Sequence, residues 1–107
     1  MSQVVVAVII KAQPGRVEEV VTGFTPIIEQ THGEEGCLNY ALHRDLNDPD
    51  KLVLIERWRS QADLDEHFTK PYMAQMGEMA AGLLAEPPTI SFCTPEPLGD
   101  PAKGTLG

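Results

Sequence analysis

Between Glu34 and Phe68 the chain runs EEGCLNYALHRDLNDPDKLVLIERWRSQADLDEHF, and few folds accommodate that stretch. Cys37 to Arg44 alternates, with Leu38, Tyr40 and Leu42 on one face and Cys37, Asn39, Ala41 and His43 on the other. That is the period-2 pattern of a strand. After the acidic turn DLNDPD a second alternation sets Leu52, Leu54, Glu56 and Trp58 against Val53, Ile55, Arg57 and Arg59. Strands separated by so short a turn pair as an antiparallel hairpin. Ser60, with Asp63 three residues later, resembles a capping box and predicts a short helix through Phe68.

The flanking segments complete the pattern. QVVVAVIIK, residues 3–11, is a nearly continuous β-branched run, as in a strand covered on both faces. Pro14-Gly15 breaks it. Val17, Val20, Val21, Phe24, Ile28 and Thr31 then follow the spacing of an amphipathic helix, with Glu18 and Glu19 in its first turn and Pro26 predicted to kink it. Thr31 to Gly36 is expected as a loop. A further helix should open at Thr69 with Pro71 in its first turn, carry Tyr72, Met73, Met76, Met79 or Ala80 and Leu83 on one side, and stop at Pro87-Pro88. Thr89 to Cys93 is a last strand. The order β-α-β-β-α-β, with its second helix broken in two, is the α+β, ferredoxin-like arrangement of an antiparallel sheet with helices on one face. Residues 1–94 form that domain, and 95–107 a Pro- and Gly-rich tail.

Apolar residues on both sheet faces, with helices for only one, predict a homodimer formed sheet to sheet. The formal net charge of -8 and the scattered Lys and Arg exclude nucleic acid as a partner. No apolar run approaches the roughly 20 residues that span a bilayer. The strand pattern begins without a leader, so a cytoplasmic location is expected. Cys37 and Cys93 form no C-x-x-C pair and are expected as reduced core thiols.

Three residues carry the candidate chemistry. Glu56 shares a strand face with Leu54 and Trp58, and a carboxylate buried there must be paired or protonated. It serves either as the ion-pair partner of an arginine such as Arg44 or as a polar anchor or base in a pocket, its pKa raised by apolar walls. Trp58 is core or pocket wall. His67 lies three residues after Leu64, on the inward side of its helix, and an imidazole's ordinary pKa of about 6.5 suits acid–base work near neutrality. Asn39 and His43 could add donors. Met73, Met76 and Met79 fill core and would also suit the edge of a bulky aromatic ring. DLNDPDKLVLIE places Asp45, Asn47 and Glu56 like a calcium loop, but Pro49 and Asp50 sit where that loop needs a ligand and a glycine. No metal site, flavin motif or nicotinamide motif is present in the sequence, and no cofactor is expected.

The strings E-x-G-C-L-x-Y-x-L-H-R-D, D-P-x-x-L-V-L-I-E-R-W-x-S and H-F, set in this element order, resemble the antibiotic biosynthesis monooxygenase domain over about residues 3–93. The resemblance implies a dimeric α+β barrel with an apolar cavity in each protomer, and oxidation of phenols or quinols by dioxygen without a cofactor. It sets the family's strand Glu and Trp on Glu56 and Trp58 and its helical His on His67. Haem-degrading members carry an Asn early in the first strand and a His along the last helix, where this chain has aliphatics and Met76 and Met79, so haem is not expected. Isomerase members show a second His where this chain has Tyr72. On this reading His67 is the base, Glu56 orients it or a substrate hydroxyl, and Trp58 and Tyr72 flank the ring, with Met76, Asn39 and His43 contributing to binding. Two other classes stay open. One is a non-oxidative isomerase using Glu56 and His67 as an acid–base pair; the other is a non-catalytic dimeric domain for a small apolar ligand or a stress response.

Overall fold

In the computed structural model, which describes residues 3–106, strand β1 (Val4–Lys11) shows why a nearly continuous apolar run is needed. Val4, Val6, Val8 and Ile10 are buried beneath helices, whereas Val5 and Ala7 are half-buried and Ile9 is exposed on the opposite face. Gly15 turns the chain with a φ of +77°, a conformation a side chain would resist. Helix α1 (Val17–His32) runs unbroken through Pro26 and buries Val20, Phe24, Ile27 and Thr31. The inner position expected for Ile28 belongs to Ile27. Thr31 and His32 are still helical; Thr31 is fully buried, its hydroxyl satisfied by the Ile27 carbonyl at 2.8 Å, and the helix stops only at Gly33.

Strands β2 (Cys37–Arg44), β3 (Lys51–Trp58) and β4 (Thr89–Cys93) complete a four-stranded sheet in the order β2-β3-β1-β4. Every neighbouring pair is antiparallel. The hairpin register sets Tyr40 opposite Glu56 and Leu42 opposite Leu54, after a bulge between Cys37 and Asn39. In the connecting turn the acidic side chains serve the backbone: Asp45 Oδ2 accepts the N–H groups of Asn47 and Asp48 at 2.9 and 2.8 Å. Arg44 pairs with Glu18 at 2.6 Å and not with Glu56.

Helix α2 (Gln61–His67) starts at Ser60, whose Oγ accepts the Asp63 N–H at 3.2 Å. Helix α3 (Pro71–Leu83) is preceded by Lys70 as N-cap, one residue later than Thr69, with Pro71 in the first turn where its missing N–H is harmless. The helices cover one sheet face, giving the ferredoxin-like architecture. The other face presents Val5, Ala7, Ile9, Ala41, Val53 and Ile55. Residues 94–106 hold no helix or strand, and Leu106 borders a shallow groove on that face with Asn39, His43 and Arg57. Both cysteines are free. Only Cys37 is partly covered, and burial pushes its thiol up to about 11. Cys93 is exposed, because on the edge strand β4 it stands beside Val5 on the helix-free face. Among the described residues no helix is long and apolar enough to cross a membrane.

Candidate active site

Alternation along β3 turns Leu52, Leu54, Glu56 and Trp58 toward the helices, so a carboxylate enters the core by register alone. Glu56 is 5% exposed, and the Trp58 Nε1–H donates to its Oε1 at 2.9 Å. Burial pushes its carboxyl up to about 7; the indole bond pulls the other way, and the charge of Glu34 pushes further up. Near neutrality Glu56 is therefore partly an acid, able to donate as well as accept. Tyr40, across the hairpin, is buried beside it, and its phenol is held well above the usual range by burial and then by Glu56.

His67 ends α2 on the same inward stripe as Leu64 and is 1% exposed. Its ring packs 4.6 Å from that of Trp58 and 5.5 Å from those of Tyr40 and Phe68. Nδ1 lies 2.7 Å from Glu34 Oε2, and the Tyr72 hydroxyl donates to the same oxygen. Nε2 is buried with no hydrogen-bond partner among the described residues. The Tyr72 phenol is held up by burial and by Glu34, so Tyr72 stays a donor.

Glu56 and His67 both line a cavity of about 300 Å³ between the sheet, α1 and α3. That is roughly twice the ~150 Å³ that takes up benzene in an engineered core. Its other walls are almost wholly apolar: Val6, Val8 and Ile10 from β1, Val20 and Phe24 from α1, and Met73, Met76 and Met79 from α3. Phe68 and Ile90 stand at the more exposed side. A broader groove of about 710 Å³ along the free edge of β2, beside Val21, Ile28 and Leu38, includes neither Glu56 nor His67. Concavity without a polar anchor of this kind is weak evidence for chemistry.

The structure brings Glu56, His67 and Met76 into the lining of one cavity, from β3, α2 and α3. Trp58 is fully buried behind them and touches both the acid and the imidazole without bordering the cavity. Tyr72 likewise stands behind His67, on the Glu34 side. Asn39 and His43 lie on the helix-free face: Asn39 accepts from Arg57 at 2.6 Å, and the His43 ring sits 3.2 Å from the Val53 carbonyl. Glu34 and Tyr40 were not singled out from the sequence. Tyr40 was legible once the register was known, because it faces Glu56 directly. Among the described residues no three His, Cys, Asp or Glu side chains are grouped to hold a metal ion.

Comparison with known proteins agrees with this architecture. Residues 3–79 match the family model described as antibiotic biosynthesis monooxygenase. The Synechocystis protein sll1783 is 36% identical over 89 residues, which is 83% of this chain but only 60% of that longer protein. YgiN of Escherichia coli, named a probable quinol monooxygenase, is 32% identical over 72% of this chain and 84% of its own length. The solved structure of Rv0793 from Mycobacterium tuberculosis superposes with a TM-score of 0.81 at 29% identity, covering 92% of this chain and 98% of that one. A family-model match across most of the domain, joined to a superposition over most of the chain, leaves one assignment: the chain belongs to the antibiotic biosynthesis monooxygenase family.

Proposed function

We propose that this protein is a cofactor-independent monooxygenase that oxidises a small phenolic or quinol-type aromatic with dioxygen inside the apolar cavity. The observation that carries the reading is that one cavity is lined both by an imidazole whose buried Nε2 has no partner among the described residues and by a buried carboxyl whose pKa burial raises. His67 Nε2 takes the phenolic proton, and Glu56 hydrogen-bonds the substrate oxygen or the oxygen that is added. The phenolate passes one electron to dioxygen, and the caged radical pair closes a C–O bond at the ring carbon. The hydroperoxide then loses the ring C–H proton, its O–O bond breaks, and quinone and water leave. The electrons come from the substrate itself. The dry walls keep the radical pair from escaping.

Hydroquinones and naphthols should therefore be consumed in air with matching oxygen uptake, and not under nitrogen. Turnover that persists anaerobically would reassign Glu56 and His67 to acid–base isomerisation. Binding without turnover in either atmosphere would leave a ligand-binding domain.

The same reading includes a homodimer through the helix-free face. A helix-free sheet face that carries half-buried Val5, Val53 and Ile55 beside exposed Ile9 supports it, since an apolar face is seldom left to water. Light scattering should give twice the mass of one chain, and Ile9→Asp combined with Ile55→Asp should give one. A wild-type monomer at high concentration would end the dimer reading.

A further inference from the structure

The geometry points to Glu34 as the positioning residue of the site: when the His67 ring carries a single proton, Glu34 holds it on Nδ1 and so leaves Nε2 as the nitrogen without one. This rests on the reading of His67 as the base and extends it to a residue outside the cavity wall. A neutral imidazole carries one proton for two nitrogens, and its partners decide which nitrogen keeps it. An ionised carboxylate can only accept, so the 2.7 Å contact between Nδ1 and Glu34 Oε2 is a donated N–H. Tyr72 donates into the same oxygen, so two donors fix that carboxylate in place. The opposite ring nitrogen is left buried and unpaired while the ring borders the cavity. An unmet acceptor of that kind fits an arriving hydroxyl.

The loop that carries Glu34 is clamped. Glu34 N–H donates to the Thr31 carbonyl at 3.0 Å, and the Glu34 carbonyl accepts from Cys37 N–H at 3.1 Å. The Gly36 carbonyl accepts from Arg59 N–H at 2.9 Å. A Cβ on Gly36 would lie 2.2 Å from Asp63 Cγ, so only glycine lets the loop press this closely against α2. Glu34 and Tyr72 border a polar outer cleft of about 520 Å³ with Arg59, Glu66 and Lys70, whereas His67 borders the apolar cavity. The charge that steadies an imidazolium thus sits behind the ring, where it does not wet the substrate's side. A carboxylate in this position fixes tautomer and orientation and stabilises the protonated ring without itself taking the proton.

Ring-15N-labelled protein tests this without turnover. The neutral His67 ring in the wild type should carry its proton on Nδ1. Glu34→Gln should keep that tautomer but lower kcat about 10-fold through loss of the charge. Glu34→Ala should scramble the tautomer and lower kcat about 100-fold, with KM changed less than threefold because Glu34 does not touch substrate. Where Glu34→Ala fails to fold, Glu34→Gln carries the test. A proton on Nε2 in the wild type, or unchanged kcat in Glu34→Gln, overturns the proposal. Failure of the base reading looks different: His67→Ala would retain turnover whatever the tautomer spectrum shows.

Discussion

Replacing His67 with alanine should lower oxygen uptake with a naphthol or hydroquinone by about 10²–10⁴-fold, the usual contribution of a positioned general base. An ordinary phenol has a pKa near 10, so making the phenolate at pH 7 costs about 4 kcal/mol. On the proposed reading the imidazole supplies the base that offsets that cost, since Glu56 already accepts from Trp58 and is drawn toward its neutral form. Alanine also strips a buried partner from Glu34, so lost activity could reflect a loosened site. His67→Asn separates the two effects. Its side-chain amide can still donate to Glu34 from near the Nδ1 position, but it offers no basic nitrogen to the cavity. Stability close to wild type with a rate as low as that of the alanine variant is the expected result. Uptake unchanged in both variants would remove His67 from the base role.

The ease with which the sequence yields this site differs sharply between residues, for physical reasons. Glu56, Trp58 and His67 come from one strand and the helix that follows it, so local periodicity is enough to aim them at one space. The alternation of β2 also separates Asn39 and His43 from Tyr40 and Leu42 correctly. What periodicity leaves open is which of the two faces the helices cover, and that depends on pairing Tyr40 with Glu56. Without the register, Asn39 and His43 look as eligible as Tyr40. Glu34 was harder still. It sits in the turn after α1, where no repeat says which way a side chain points, and its partners are 33 and 38 residues away. Trp58 and Tyr72 show a third limit: an aromatic near a site can hold the catalytic groups from behind as readily as it can touch a ligand. The strands and the Ser60-capped helix α2 are legible because alternation, helical spacing and a cap are patterns written within a few residues, even though the strands themselves pair with distant ones.

Glu56→Gln should make the protein more pH-tolerant, with the gap between variant and wild-type stability widening by about 3 kcal/mol from pH 4.5 to pH 8. In the folded protein the Glu56 carboxyl is raised from 4.5 to about 7, chiefly by burial. The native state therefore keeps a proton that the unfolded chain releases across this window. Stability from this group is complete below about pH 4.5, falls as the pH rises toward 7, and reaches its floor above that. Glutamine has no proton to lose, and its amide oxygen can still accept the Trp58 N–H. The acids whose carboxyls are held low by salt bridges, Glu19, Asp48 and Asp63, titrate alike in both proteins and cancel in the difference. Urea unfolding at several pH values measures the gap directly. Parallel curves would mean that Glu56 ionises at its ordinary pKa, and the cavity wall would then carry a full negative charge at neutrality. A wall of that kind would repel a phenolate instead of holding it, so the measurement bears on the proposed chemistry as well as on the fold.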